Sequence, residues 1–444
     1  MNAPRRFPIF NRKAHEIIAF HHGVGIDARA FLQRALALAG RLPPKAYVFN
    51  LCTDRFNYLL SFCAATIAGQ CTLMPPNRLS STLSQLSADY PDNYQLLDDD
   101  LQLLEAEGSA SGDFEVPTIP LEQLCAVAFT SGSTGTPTAN LKYWETLRSS
   151  TIGNAQLLLA SADERINLVA TVPPQHMWGL ETSILLPLFA NATVSDRTPF
   201  YPQDIADALM AIPEPRVLVS SPVHLNVLYK SQVQLPELEC IFSATAPMSR
   251  SLAQNLEQQY KTRVIEVFGS SESGIVARRN TASDTIWQLS ELFGLQVCEH
   301  GVRIEAQHLP DEVFIKDVIQ MVDKKHFKWL GRHQDMLNIA GKRGSLADLN
   351  RRLLAIKGVS DGVMFLPTAD STRVAALVVA PGLKARDIQA ALKPEVESIF
   401  MPRPILLVDS LPRQATGKLA HKDVLQTYCG LTGQTNIDLN NAGQ

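Results

Sequence analysis

The run Leu124-Cys-Ala-Val-Ala-Phe129 is apolar throughout, and Thr-Ser-Gly-Ser-Thr-Gly-Thr-Pro137 follows it at once. A short apolar run stopped by glycines reads as a strand buried inside a sheet. The loop after it holds two glycines and five hydroxyl side chains before Pro137. Such a loop leaving a strand is a phosphate cradle. Its glycines let backbone N–H groups approach phosphate oxygens, and its Ser and Thr hydroxyls add donors. No Gly-Lys-Ser/Thr triplet follows, so it is not a Walker A loop. A plain Gly/Ser turn uses the same residues, and the loop alone leaves both readings open.

Strand and helix signals alternate along the first two-thirds of the chain. Asp27 is placed to cap a helix through Leu38, in which Ala28, Phe31, Leu32, Ala35 and Leu38 recur at helical spacing and Gly40 follows the end. Residues 46–51 read as a strand, 57–68 as a helix stopped by Gly69, and 71–74 as a short strand ended by Pro75-Pro76. Later, 167–172, 217–220 and 264–268 read as strands, and 180–190 and 252–260 as helices. This alternation predicts an α/β fold, a large N-terminal domain with mostly parallel sheets covered by helices. Ligands gather beyond the carboxyl ends of such strands, where the Thr130 and Gly269 loops fall.

A boundary is expected over 331–343. After it come a helix (347–356), two strands (362–365, 373–379), a helix (385–399) and a strand (405–408), a small α+β domain. The expected division is 1–332, 333–431 and a flexible tail, 432–444, rich in Asn, Gly and Gln.

A chain of 444 residues can bury two or more cores. Its net charge of −4 offers no basic footprint, so no nucleic-acid partner is expected. Seven cysteines without a C-x-x-C pair indicate neither a zinc site nor a disulfide framework, and fit a reducing cytoplasm. Arg5 and Arg6 have no apolar stretch behind them, and no apolar run is long enough for a bilayer. Neither a signal peptide nor a transmembrane segment is expected.

Downstream of the loop come Ser243-Ala-Thr-Ala-Pro247, Phe268-Gly-Ser-Ser-Glu272, Asp317, Gly331-Arg332 and Leu411-Pro-Arg-Gln-Ala-Thr-Gly-Lys418. With Phe129–Pro137, this ordered set resembles the acyl-adenylate-forming (AMP-binding) ligase superfamily of acyl-CoA synthetases, peptide-synthetase adenylation domains and luciferases. Gly331 follows Asp317 by 14 residues, as that family's Gly-Arg hinge strand follows its ribose-binding Asp. The chain also looks like the short bacterial acyl/aryl-CoA synthetase-like ligases of aryl-polyene-type pathways, which implies an aromatic acid.

The resemblance implies a cytoplasmic ligase using ATP, Mg²⁺, a small carboxylic acid, and coenzyme A or the phosphopantetheine of an acyl carrier protein. Residues 1–332 would bind ATP and acid, and the small mobile domain would carry the catalytic lysine. Thr130, Ser131, Gly132, Ser133, Thr134 and Gly135 would hold the β- and γ-phosphates. Ala244, Thr245 and Ala246 resemble the adenine-binding turn, and Phe268, Gly269 and Ser271 would complete the nucleotide site. Glu272 would bind Mg²⁺, a hard ion that prefers oxygen. Asp317 would accept from the ribose hydroxyls, and Arg332 would assist at ribose or phosphate. Lys418 would neutralise the oxygens as carboxylate and α-phosphate meet.

His176, in Pro173-Pro-Gln-His-Met-Trp-Gly179, would border the acyl pocket and gate the thiol tunnel, with Met177 and Trp178 lining the pocket. A capped helix start with a satisfied histidine explains the same residues. The small domain would rotate between half-reactions, exchanging the Lys418 loop for 338–342, where Gly341 and Gly344 permit close approach. Plain alternatives stand beside these roles: a solvated loop Glu272, an edge-strand Asp317, a surface Arg332 and an exposed Lys418.

Three features depart from the family pattern. Thr138 stands where the phosphate loop usually has lysine, with Lys142 a candidate substitute. Gln334 stands where a hinge Asp or Lys is common, although Asp335 follows. The 45 residues from Glu272 to Asp317 are fewer than the family's usual segment. These departures motivate a second reading, a nucleotide-binding pseudoenzyme with a regulatory or scaffolding role. Glu272, Asp317 and Lys418 argue against it.

Overall fold

Asp27 caps the first helix as its sequence predicts: its Oδ1 accepts from the Ala30 N–H at 2.8 Å. The helix, Ala28–Ala39, buries Ala28, Phe31, Leu32, Ala35 and Leu38, and Gly40 ends it. The structure, a computed structural model, describes residues 5–105, 114–131, 137–159, 165–332, 336–339, 342–368, 371, 373–413 and 419–433.

Two sheets build the large part of the molecule. The first orders its strands Asn93–Leu96, Tyr47–Asn50, Cys71–Met74, Leu124–Ser131 and Pro137–Tyr143. The first four are parallel. Pro137–Tyr143 returns antiparallel beside Leu124–Ser131, so the hydroxyl-rich loop lies within a hairpin. The sequence reading had no strand there.

The second sheet has eleven strands. Its centre is parallel: Ile17–His21, Ala192–Ser195, Ile166–Ala170, Arg216–Ser220, Cys240–Ser243 and Arg263–Ser270. Antiparallel strands extend both flanks: Val24–Asp27 on one side, and Gly274–Asn280, Ile286–Leu289, His326–Arg332 and Asp317–Met321 on the other. The parallel core is thus as expected, and the sheet is mixed. The short segment from Glu272 to Asp317 holds two of these strands and a separate antiparallel meander, Gly294–Cys298, Gly301–Glu305 and Val313–Ile315.

Alternation along the parallel strands divides the core. Leu168, Ala170, Val217, Val219 and Phe242 face one side, where they meet Phe56, Leu59, Leu147, Ile184 and Leu188 of the central helices. Val169, Leu218, Ile241 and Val264 face the other, against Ile205, Leu209, Leu225 and Leu256. The helix Arg55–Ile67 is buried along nearly all its length and shares its core with strands of both sheets. At its first residue the buried Arg55 guanidinium donates to the Ala170 and Val172 carbonyls, at 2.8 and 2.9 Å, and to Ser183 Oγ at 2.5 Å. These bonds satisfy its two terminal nitrogens, Nε has no partner among the described residues, and desolvation pushes the group down to about 10.

Two expected helices differ. The stretch 180–190 begins earlier, at Met177, and passes through a π-helical turn, Leu180–Leu185, before Leu186–Phe189. Pro187 has no N–H to give this helix, and Thr182 and Ser183 hydroxyls bond back to the Trp178 and Gly179 carbonyls at 2.6 Å. The helix expected over 385–399 ends at Leu392: Lys393 still has helical backbone, but Pro394 has no N–H to donate to the Ala390 carbonyl. A short 3₁₀ turn, Ser398–Phe400, follows.

The C-terminal unit pairs Asp361–Phe365, Ala375–Val379 and Ile405–Leu407. Ala376 and Val378 pack against Leu349, Leu353, Ile388 and Leu392. Ala375 and Leu377 pack against Val424, Leu425 and Tyr428 on the opposite face. Among the described residues, neither cluster draws a buried residue from before Leu337.

Candidate functional site

The residues singled out by the sequence fall near strand ends in both sheets. Thr130 stands one residue before the end of its strand, opposite Thr138. Gly132, Ser133, Thr134 and Gly135 lie outside the described residues, as does the Ser131 side chain. Thr138 is exposed. Lys142, four residues on, pairs with Ala126, about 13 Å along the strand. It is not a surface cation: it is only 2% exposed, and its Nζ donates to the Glu272 carbonyl at 2.8 Å.

Ala244, Thr245 and Ala246 follow Cys240–Ser243, between the parallel strands that end at Ser220 and Ser270. Thr245 has φ +81°, a left-handed conformation that a β-branched residue adopts only when its surroundings hold it. Such strain is common at ligand sites and turns.

Phe268 and Gly269 sit at a bulge where the strand Arg263–Ser270 turns into Gly274–Asn280. A Cβ on Gly269 would overlap the Gly274 carbonyl, so glycine is required where these backbones meet. Ser270 Oγ accepts from the Ser273 N–H at 3.2 Å and fixes the turn. Ser271 is half-buried, and Glu272 is exposed at the tip.

His176 is the cap of a short helix. Its Nδ1 accepts from the Trp178 N–H at 3.2 Å, which leaves Nε2 to carry the proton of the neutral ring. The capped start is therefore real. Met177 and Trp178 are buried in the main core, and the Trp178 indole N–H donates to the Ser220 carbonyl at 3.4 Å. This bond ties the His176 turn to the strand neighbouring Cys240–Ser243.

Asp317 lies on the far flank. Gly274–Asn280, Ile286–Leu289 and His326–Arg332 separate its strand from Arg263–Ser270. Its Oδ1 accepts from the Trp329 indole at 2.6 Å. Arg332 pairs with Asp317 in backbone register, but its side chain, with Gln334 and Asp335, lies outside the described residues. So does Lys418. Gly331, at φ +137°, packs where a Cβ would meet Ser345 Oγ at 2.8 Å. Gly344 makes its close approach to the Phe400 ring within the same unit, and Gly341 lies outside the described residues.

The sequence reading missed Glu181. It is a lone carboxylate in the apolar run Leu180–Phe189, and that loneliness was the available signal. It is 2% exposed, and its Oε1 accepts from Asn154 Nδ2 at 3.0 Å and from the Ile275 N–H at 3.2 Å. Burial pushes Glu181 up, against these bonds and the Lys142 charge. Burial pushes Lys142 down to about 8, opposed by Glu181 and then Glu272. Both shifts have one cause, removal of charge from water. His308, lowered to about 4 by burial and the Lys142 charge, stays neutral nearby.

A mixed sheet whose adjacent strand ends carry a strained small-residue turn and an acidic turn has the layout of a nucleotide-binding α/β enzyme. Residues 60–313 match the AMP-binding enzyme family, and the chain belongs to that family. It is 25% identical over 304 residues to the 4-coumarate–CoA ligase of Halorhodospira halophila, covering 65% of this chain and 73% of that one. Its fold matches ATP-bound MatB of Rhodopseudomonas palustris with TM-score 0.81, 17% identity and 97% of each chain covered. It also matches the o-succinylbenzoate coenzyme A synthetase of Bacillus subtilis in complex with ATP and magnesium. That match has TM-score 0.76 and 15% identity, and covers 91% of this chain and 95% of that one.

Proposed function

We propose that this protein is an ATP-dependent acid–thiol ligase that makes an acyl-adenylate and then a thioester. The family match over residues 60–313 carries the reading. In the first step a carboxylate oxygen attacks the α-phosphorus, the bond to the β-phosphate breaks and pyrophosphate leaves. In the second, a thiol sulfur attacks the acyl carbonyl, the thiol proton is lost and AMP leaves.

The residues divide this work by position. The Thr130–Gly135 segment would cradle phosphates through backbone N–H groups and hydroxyls. Ala244, Thr245 and Ala246 leave room for a flat base. Asp317 would take the ribose, and Arg332 would assist it. Lys418 would meet the charge that builds as carboxylate and phosphate join. The exposed Glu272 carboxylate is a hard oxygen donor that fits Mg²⁺. When bound, the ion supplies charge neutralisation at the triphosphate. Residues 333–431 would act as the mobile unit that brings Lys418 in.

The acid we propose is aromatic, consistent with a relative named for 4-coumarate. The thiol we propose is that of coenzyme A; the phosphopantetheine of a carrier protein bears the same group. Among the described residues no disulfide is formed, which fits a reducing cytoplasm. No helix among the described residues is long and apolar enough to cross a membrane.

The test is acid-dependent pyrophosphate exchange across short, long and aromatic acids, with Lys418→Ala as partner. Exchange supported by an aromatic acid is expected. Lys418→Ala should reduce it at least about a hundredfold, the loss typical of one preorganised charge-stabilising donor, and spare thioester formation from preformed acyl-adenylate. No exchange with any acid would favour the pseudoenzyme.

A further inference from the structure

Two charged side chains hold the turn that presents Glu272, and they come from two different elements. Lys142, on the strand returning from the hydroxyl-rich hairpin, donates to the Glu272 carbonyl at 2.8 Å. Glu181, in the π-helical turn after His176, accepts from the Ile275 N–H at 3.2 Å. That carbonyl and that N–H are the pair a β-turn over 272–275 would close upon itself. Here each is bonded to a buried charged side chain.

The fit around Glu181 is close. Gly274 has φ +73°, and a Cβ there would stand 2.5 Å from Glu181 Oε1, so only glycine leaves room for the carboxylate. Asn154, on the helix Trp144–Leu158, donates to the same oxygen at 3.0 Å and orients it. Glu181 itself lies in the π-helical turn, a rare element frequent at functional sites. Burying two charges at 2% exposure costs stability unless their bonds and mutual attraction offset it. A hydrophobic pair would fill the space more simply, and it could hold neither backbone group.

We propose that Lys142 and Glu181 are positioning residues that set the Glu272 carboxylate for magnesium by gripping both ends of its turn. The proposal rests on the reading of Glu272 as the metal ligand. It also gives Lys142 its role beside Thr138: the cation acts on the metal-bearing turn, and links it to the hairpin expected to hold the phosphates.

The test uses the full-length protein with a non-cleavable ATP analogue and Mn²⁺ as probe, free Mn²⁺ being read by electron paramagnetic resonance. Melting temperatures are measured in parallel. Lys142→Met and Glu181→Leu are each expected to weaken Mn²⁺ binding to the protein–nucleotide complex about tenfold, with metal-free nucleotide binding unchanged. Glu181→Gln keeps an oxygen acceptor for Ile275 and should stay within about twofold of the parent. If both variants lower the melting temperature and leave Mn²⁺ affinity intact, the network is structural and the proposal is overturned. Should Glu181→Leu not fold, Asn154→Ala takes its place, with a weakening of about threefold expected and no weakening overturning the proposal. Glu272→Gln separates the two levels. If it weakens Mn²⁺ binding and the positioning variants do not, only the positioning role falls. If it does not weaken Mn²⁺ binding, the metal assignment falls and takes the positioning role with it.

Discussion

The Trp329 indole N–H meets the Asp317 carboxylate at 2.6 Å, across the antiparallel pair at the edge of the large sheet. The bond fixes one oxygen of the residue assigned to the ribose hydroxyls. Asp317→Ala is expected to raise the KM for ATP about tenfold or more, as for a lost hydrogen bond to a charged group. Trp329→Phe keeps the carboxylate but removes this indole donor, and should raise KM about threefold. Steady-state kinetics over an ATP range measures both; an unchanged KM in Asp317→Ala would remove it from the nucleotide site.

Thr138 faces solvent directly across the ladder from Thr130. A lysine there would add a cation at the neck of the hydroxyl-rich hairpin, where Lys142 is already committed to Glu272. Thr138→Lys is expected to lower the KM for ATP several-fold, with the benefit fading as salt rises. A salt-independent or absent change would place the hairpin away from the phosphates.

Gly179 follows Trp178 in the His176 turn, and a Cβ there would overlap the Pro173 carbonyl and crowd Pro174. Neither is a flexible side chain that could swing aside. Gly179→Ala should cost about 1–3 kcal/mol, the usual range for overpacking, and distort the His176 cap. Thermal melts measure the loss, and a parent-like melting temperature would show that the turn relaxes freely.

Asp54 caps the helix Arg55–Ile67 by accepting from the Asn57 N–H at 3.0 Å. Burial, joined by the charges of Asp196 and Asp98, pushes it up to about 6 from 3.8. The folded state thus holds this proton more tightly than the unfolded chain. Its stabilising effect is complete below about pH 4 and is lost as pH rises through 6. Asparagine keeps the cap without the charge. Asp54→Asn should therefore raise the melting temperature at pH 7.5, by an amount that shrinks steadily toward pH 4. A difference that does not change with pH would show that the Asp54 charge carries no penalty.

The sequence by itself determined what depends on neighbours in the chain. Asp27 caps its helix because Asn, Asp, Ser and Thr side chains reach the N–H groups two or three residues on, wherever the helix lies in the fold. The strand runs 71–74, 217–220 and 264–268 declare themselves through mostly apolar residues between turn signals, and each lies in a strand of the structure. The ordered motifs from Phe129 to Lys418 were enough to reach the family to which residues 60–313 belong. Tertiary structure alone decided which distant residues share an environment. Lys142 and Glu272 are 130 positions apart, and Glu181 and Ile275 are 94 apart; each bond exists because two sheets and a helix pack together in one register. The left-handed backbone of Thr245 and the antiparallel flanks of the large sheet belong to the same category. Local preference opposes the first and is indifferent to the second. The free energy that fixes them comes from packing and hydrogen bonds between residues far apart in the chain.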